Sequence, residues 1–366
     1  MRNCSKRRRS KKIWASRGSV TWCTSMSERL LNEAERQILA MLYALETRAE
    51  EWWNGRGFLD EAALEEHARR FWADELAPWA GHLDALVERG LIERRAGELS
   101  VAPAARETAR GLRAAFRRQR FDDILVQAER SQTYLTFCRR TSDLDLRVFS
   151  PLDQEQLSAV ERALALRPGE RLLDAGCGAG HVAQWLAGRM PGVHVLGIDH
   201  AGEAIRLARR RTRGIEDGTL TFAVWDFADE ASEAPVGRFD AILAIDSVAF
   251  VDDLEAVLAR LLARLEANGR LDVLTLEADV GEAPTARALS ALGARTEVLD
   301  LTDQTLPILR ARAFAARGLA PAFRREGCAL LARALNQEAE RLEPLLAAGR
   351  LRRRLYCVRS GSVPES

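Results

Sequence analysis

The sequence predicts an α/β protein: an open, mostly parallel sheet wound on both faces by helices, with a smaller, mostly helical module in front of it. Three observations carry this. Arg171–His181 reads as strand, glycine loop and helix start, since Leu172 and Leu173 close an apolar run after Arg167-Pro168-Gly169 while Val182, Trp185 and Leu186 take up helical spacing. Short apolar runs ending in an acid then recur at Val193–Asp199, Leu220–Asp226 and Phe239–Asp246, with helical segments between them. Ahead of residue 120 the order is instead helix, helix, helix and a short hairpin.

The 366 residues suffice for two domains, and 47% apolar with 29% charged residues is ordinary globular composition. No apolar run reaches membrane-spanning length, so no membrane partner is expected. Six cysteines (Cys4, Cys23, Cys138, Cys177, Cys328, Cys357) without a CxxC pair suggest a reducing, cytoplasmic setting. Neither they nor His67, His82, His181, His194 and His200 show metal-ligand spacing, so no metal is expected. The net charge of +1 hides an asymmetry, because residues 1–25 hold eight basic residues, including all three lysines, and no acid; removing them leaves −7. That balance argues against a general polyanion binder. The break in composition before Met26-Ser27-Glu28 suggests a basic segment translated upstream of the true start, with a basic targeting or nucleic-acid arm as the alternative.

Taken in order, Leu30, Leu31, Ala34, Ile38, Leu39, Leu42 and Leu45 predict one amphipathic helix over 28–48. Asn54-Gly55-Arg56-Gly57 breaks the pattern before a helix over 59–72 and another over 78–89 that Gly90 stops. Leu91–Arg94, a turn through Arg95-Ala96-Gly97-Glu98, and Leu99–Val101 read as a hairpin. Three helices and a hairpin in this order resemble a winged helix. The third helix carries Leu83, Asp84, Leu86, Val87 and Glu88 where a DNA reader needs Arg or Lys, so nucleic acid is not the expected partner.

Arg106, Arg110, Arg113, Arg117 and Arg120 share one helix face, read as a solvated or acid-paired face, with an anion or RNA contact as the alternative. Helical character continues over 121–140, and Gln154–Leu166 leads into the first strand. Beyond the strands already named lie a helix over 254–265, a strand over 270–277, a strand near 296–301, helices over 306–316 and 322–347, and a last strand over 352–358.

A glycine loop of this kind brings backbone N–H groups and a helix N-terminus against a ligand, because glycine lacks the Cβ that would hold it away. A dinucleotide fingerprint needs Gly or Ala three places after the second glycine, and His181 stands there. Gly176-x-Gly178-x-Gly180 behind Asp174 instead resembles motif I of the class I S-adenosylmethionine-dependent methyltransferases. The resemblance covers roughly residues 150–277, and a nucleotide-sugar or NAD enzyme is the alternative. It implies a Rossmann-like sheet of seven strands, parallel except for one, with an insertion near 302–350 shaping the acceptor pocket. It also implies that Asp174, Gly176, Cys177, Gly178, Gly180, His200 and Ile245 line S-adenosylmethionine, with Asp199 at the ribose and Asp226 and Phe227 at the adenine.

In this family the residues after the fourth strand decide the acceptor class. Here they are Asp246-Ser247-Val248-Ala249-Phe250, which lack the Asp/Asn-Pro-Pro-aromatic run of base-amine enzymes and the nucleophilic cysteine of pyrimidine C5 enzymes. A small organic acceptor is the expected substrate. Asp246 is the candidate to take its proton or to orient ligand, and Ser247, Phe250, Tyr134 and Phe137 are pocket candidates, with core packing the alternative for the last two. The front module resembles the dimerisation and substrate-covering winged helix of plant-type O-methyltransferases, which implies a homodimer. The expected organisation is a basic segment over 1–25, the winged-helix-like domain over 26–120, linking and lid helices over 121–150 and the methyltransferase domain over 151–366. The competing reading is a DNA-binding regulator, or an RNA-modifying protein, that uses the same cofactor.

Overall fold

A computed structural model describes residues 31–48, 60–62, 64–65, 79, 81–213, 219–235, 237–279 and 281–359. The expected segment 1–25, most of the expected helix over 59–72, and Trp52, Trp53 and Trp72 lie outside these. The chain divides into two compact units, which among described residues are 31–46 with 60–112, and 47–48 with 113–359.

In the first unit helix α1 is Glu33–Arg48. It starts later than its apolar periodicity suggests because Asn32 is its cap: Asn32 Oδ1 accepts from Glu35 N while Glu35 Oε2 accepts from Asn32 N, both at 3.0 Å. Helix α2, His82–Glu88, begins after Gly81 at φ 77°, and strands β1 (Ile92–Arg95) and β2 (Glu98–Val101) pair antiparallel. Ala96 and Gly97, at φ 53° and 87°, make the tight turn between them. Ile38, Leu39, Leu42, Leu86, Ile92 and Leu99 form the core of this unit.

The second unit begins its helices with α3 (Arg106–Arg130, entering from the first unit), α4 (Gln132–Thr141) and α5 (Gln154–Leu164). The expected continuous helix through 140 is broken at Ser131, whose side chain caps α4 by accepting from Tyr134 N. The sheet then alternates with helices: β3 (Arg171–Ala175), α6 (His181–Arg189), β4 (His194–Asp199), α7 (Gly202–Arg211), β5 (Leu220–Val224), β6 (Phe239–Ile245), α8 (Leu254–Leu262) and β7 (Leu265–Ala278). Helices α9 (Pro284–Ala291), α10 (Thr302–Arg325) and α11 (Ala329–Ala347), with strands β8 (Thr296–Asp300) and β9 (Leu351–Arg359), complete it.

The seven strands are ordered β5-β4-β3-β6-β7-β9-β8, and β9 alone runs antiparallel to its neighbours. Leu157, Val160, Ala183, Leu186, Ile205 and Ala208 bring α5, α6 and α7 onto one face, while Val257, Leu258, Leu261 and Leu289 bring α8 and α9 onto the other. The first strand in sequence lies mid-sheet, so the chain leaves β3 in both directions, and the loop after it faces the crevice where open α/β sheets bind ligands.

Three further elements differ from expectation. Strand β7 starts five residues early, because Leu265 pairs Phe239 before the register shifts around Asn268, at φ 66°. Helix α9 has no counterpart in the sequence reading. Helix α10 begins earlier and runs through Pro321, ending at Gly327 (φ 68°), where Cys328 N bonds Phe323 O and Gly327 N bonds Arg324 O.

Asp272, in the middle of β7, is 1% exposed, and its carboxyl lies beside the thiol of Cys357, its cross-strand neighbour on β9. Burial pushes it up to about 6. The folded chain therefore binds a proton that the unfolded chain has lost, and stability falls as pH rises from about 4 to about 6, by roughly 3 kcal/mol for a shift of this size. Asp272→Asn should remove that slope and melt above the parent at pH 8. Urea titrations of both chains across pH 4–8 check this; parallel curves would contradict it.

Candidate functional site

The loop after β3 turns three times through left-handed backbone, with Gly176, Gly178 and Gly180 at φ 86°, 55° and 76°. A Cβ on Gly176 would stand 2.2 Å from that of Ser247, and one on Gly180 2.4 Å from the Phe222 ring. The loop is tied to the end of β4: Gly176 N and Cys177 N both donate to Ile198 O, at 2.8 and 2.9 Å.

Asp199, the last residue of β4, is the pivot. Its Oδ2 accepts from Gly178 N and its Oδ1 from Ala201 N, both at 2.8 Å, so one carboxylate ties the glycine loop to the entrance of α7. Each oxygen keeps a second lone pair for a ligand hydroxyl. His200 Nδ1 lies 3.7 Å from Asp199, its Nε2 has no partner, and burial lowers its pKa. Asp174, on β3 behind the loop, is 3% exposed, and its Oδ2 has no partner. Burial first, and the charge of Asp199 second, push it up to about 7. The Cys177 thiol is likewise pushed far above the ordinary range by burial, which argues against a nucleophile.

Asp226 follows β5 with both oxygens engaged, Oδ2 by Arg118 at 3.1 Å and Oδ1 by Ala228 N at 3.1 Å. Phe227 is buried against Trp225, and its carbonyl accepts from Arg260. Beyond half-buried Ile245, Asp246 takes left-handed backbone at φ 52°, held by its N–H on Leu274 O at 2.8 Å. Its Oδ1 is paired with Arg353 on β9, while Oδ2 is buried and unpartnered. Ser247 donates to Ala175 O at 2.7 Å and closes on Gly176. Phe250 ends the turn Val248–Phe250, and its side chain is outside the description.

Asp174, the glycines, Asp199, Asp226 and Asp246 thus all lie at the carboxyl ends of β3–β6. Tyr134 and Phe137 are placed elsewhere: they are 1% and 0% exposed, stacked at 5.8 Å, and packed with Phe323 and Leu331 of α10 and α11, while the Tyr134 hydroxyl donates to Val148 O. They take the core-packing alternative.

Sequence reading expects helix across α3 but names none of the residues on its face beside these acids. Along one face of α3, Arg118 bonds Asp226, the Phe121 ring meets His200 edge-on at 6.0 Å, Asp122 accepts from Glu203 N and Ala204 N at the start of α7, and Glu129 bonds His181 and Arg211. The place for Leu125 between them is against Gly178, 3.7 Å from where its Cβ would be. Burial raises Asp122 to about 6. The spacing 118, 121/122, 125, 129 was the available signal. The more conspicuous arginine face is partly acid-paired, with Arg106 on Glu46 and Arg113 on Asp252.

Among the described residues no His/Cys/Asp/Glu group could hold a metal ion, and no helix is long and apolar enough to cross a membrane.

Residues 173–271 match the family model for a methyltransferase domain. Over 126 residues the chain is 40% identical to nocamycin O-methyltransferase of Saccharothrix syringae, covering 34% of this chain and 42% of that protein. Over 144 residues it is 33% identical to the ubiquinone biosynthesis O-methyltransferase of Xanthomonas campestris pv. campestris (strain B100), covering 39% and 56%. The chain therefore spans about half the length of the curated relatives it matches. Its fold is similar to that of Haemonchus contortus phosphoethanolamine N-methyltransferase 2 in complex with S-adenosyl-L-methionine, at TM-score 0.50 and 18% identity over 65% of this chain and 59% of that one.

Proposed function

We propose that this chain, whose residues 173–271 form a class I S-adenosylmethionine-dependent methyltransferase domain, transfers a methyl group from S-adenosylmethionine to a small organic acceptor, leaving S-adenosylhomocysteine. The observation that carries the reading is the pairing of the triple-glycine loop with two buried acids, Asp174 open at Oδ2 and Asp199 holding the loop to β4. These residues fit the cofactor. A buried carboxyl without a partner suits a cationic group, a carboxylate at a strand end suits vicinal hydroxyls, and the backbone of Gly178, where a Cβ would meet nothing nearer than 3.7 Å, admits close approach.

The bound cofactor supplies an electrophilic methyl on a sulfonium. The chain supplies position, which in well-oriented reactions contributes about 7–11 kcal/mol. Asp199 fixes the loop, Ser247 locks the segment after β6 against Gly176, and Asp246 keeps Oδ2 buried and unpaired for the acceptor. That oxygen accepts the hydrogen bond of an acceptor hydroxyl or amine and, for a hydroxyl, receives its proton. The test is formation of S-adenosylhomocysteine when the chain is given S-adenosylmethionine with a pool of small hydroxylated and amino acceptors. Turnover with one acceptor and its loss in Asp246→Ala are expected; a chain that binds cofactor but yields no product with any acceptor would refute it.

The first unit serves dimerisation in this reading, which rests on its order of helices and hairpin, since Ile38, Leu39 and Leu42 of α1 are spent on the unit's own core. Sedimentation at micromolar concentration should give a dimer. A monomer, or salt-sensitive binding of duplex DNA, would count against that role.

A further inference from the structure

Arg353 is the largest fully buried side chain among the described residues, with 0% exposure, and it uses one of its three guanidinium nitrogens. Nη1 donates to Asp246 Oδ1, while Nε and Nη2 have no partner. Those two nitrogens lie on one edge of the guanidinium, with parallel N–H bonds spaced to meet the two oxygens of a carboxylate. An arginine buried only for packing would not leave that edge empty, because an unmet buried donor is costly.

Its place in the fold says what the edge is for. Strand β9 is antiparallel, and Arg353 pairs Leu276, so it stands at the carboxyl end of parallel β7, the end at which Asp246 follows β6. The backbone there is fastened by Arg353 N on Thr302 Oγ1 and Leu301 N on Arg353 O. Asp246 Oδ2 is open as well, and its neighbour Ser247 rests on the glycine loop. Two donors and one acceptor are thus left unmet on one ion pair, on the acceptor side of the glycine loop.

We infer that Arg353 binds a carboxylate of the methyl acceptor through its Nε/Nη2 edge, while Asp246 Oδ2 accepts from a hydroxyl or amine on the same molecule. The preferred acceptor is a hydroxy or amino acid in the chemical sense: a hydrogen-bond donor near a carboxylate. Burial of Arg353 keeps water from competing for that edge. This rests on the methyltransferase reading, which places the acceptor beside Asp246.

The test uses the full chain saturated with S-adenosylhomocysteine and a matched pair of probes, salicylate and its neutral amide, salicylamide, followed by calorimetry and by the side-chain Nε–H resonance of Arg353. Salicylate should bind at least tenfold more tightly than salicylamide and shift that resonance. In Arg353→Lys, which keeps the charge and loses the fork, the preference should fall below threefold; Arg353→Met serves where the lysine variant does not fold, with the same expectation. Equal binding of the two probes, no binding of either, or an unchanged preference in the variants overturns the inference. Failure to bind S-adenosylhomocysteine would instead overturn the methyltransferase reading, so the two failures are distinct.

Discussion

Asp199→Ala should bind S-adenosylhomocysteine about thirty- to a thousandfold more weakly than the parent chain. The removed carboxylate would give up to two charge-assisted hydrogen bonds to ribose, together about 2–4 kcal/mol. The structure adds a second cause, since the same carboxylate holds Gly178 N and Ala201 N at 2.8 Å, and without it the loop loses its tie to β4. Asp199→Asn separates the causes. Its single amide oxygen can serve one N–H, so the variant should fall between parent and Ala. Melting should change little in either, because Gly176 N and Cys177 N still hold Ile198 O. Calorimetry on folded variants reads the result, and an unchanged affinity in Asp199→Ala would mean that the loop serves another ligand.

The second large effect is a pH dependence written into Asp174. With its carboxyl raised to about 7, the free chain holds that proton at pH 6 and has released it at pH 8. A ligand presenting a cationic group to Oδ2 favours the ionised form and lowers the pKa in the complex. The sign follows: affinity rises with pH, about tenfold between pH 6 and 8, with a proton released on binding near pH 6.5. Asp122, raised to about 6, adds a smaller rise below that range if the start of α7 tightens. Burial lowers the pKa of His200 beside it. Asp174→Asn should abolish most of the rise and bind at least tenfold more weakly at pH 8. Calorimetry in buffers of different ionisation enthalpy counts the proton.

The features that organise the site were legible in sequence because they are local. A left-handed turn demands glycine, a buried parallel strand demands an apolar run, and an acid at the end of such a run has one place to go. Asp174, Asp199, Asp226 and Asp246 therefore fall at the ends of β3, β4, β5 and β6 in turn, although across the sheet those strands stand in the order β5-β4-β3-β6. What each acid holds was not legible. Arg118 meets Asp226 across 108 residues and Arg353 meets Asp246 across 107, and no periodicity reports a pairing at that distance. The alternation of β9 marks Arg353 as one of four neighbouring basic or apolar positions, not as the buried one. Helix α9 escaped because Pro284–Ala291 is short and mostly small, and the end of α10 because Gly327, not Pro321, supplies the stop. Tyr134 and Phe137 sit on a helix before the glycine loop as pocket candidates, yet the neighbouring α3 runs beside the strand ends and leaves α4 to pack on α10.

The central claim is that the glycine loop and its two acids hold S-adenosylmethionine. Its most direct measurement is calorimetric titration of the intact chain with S-adenosylhomocysteine at pH 8, beside Gly176→Ala, whose new Cβ would collide with Ser247. One site per chain with micromolar affinity, lost by at least tenfold in a folded Gly176→Ala, is the predicted result. No binding by the parent, or equal binding by the two chains, would contradict it.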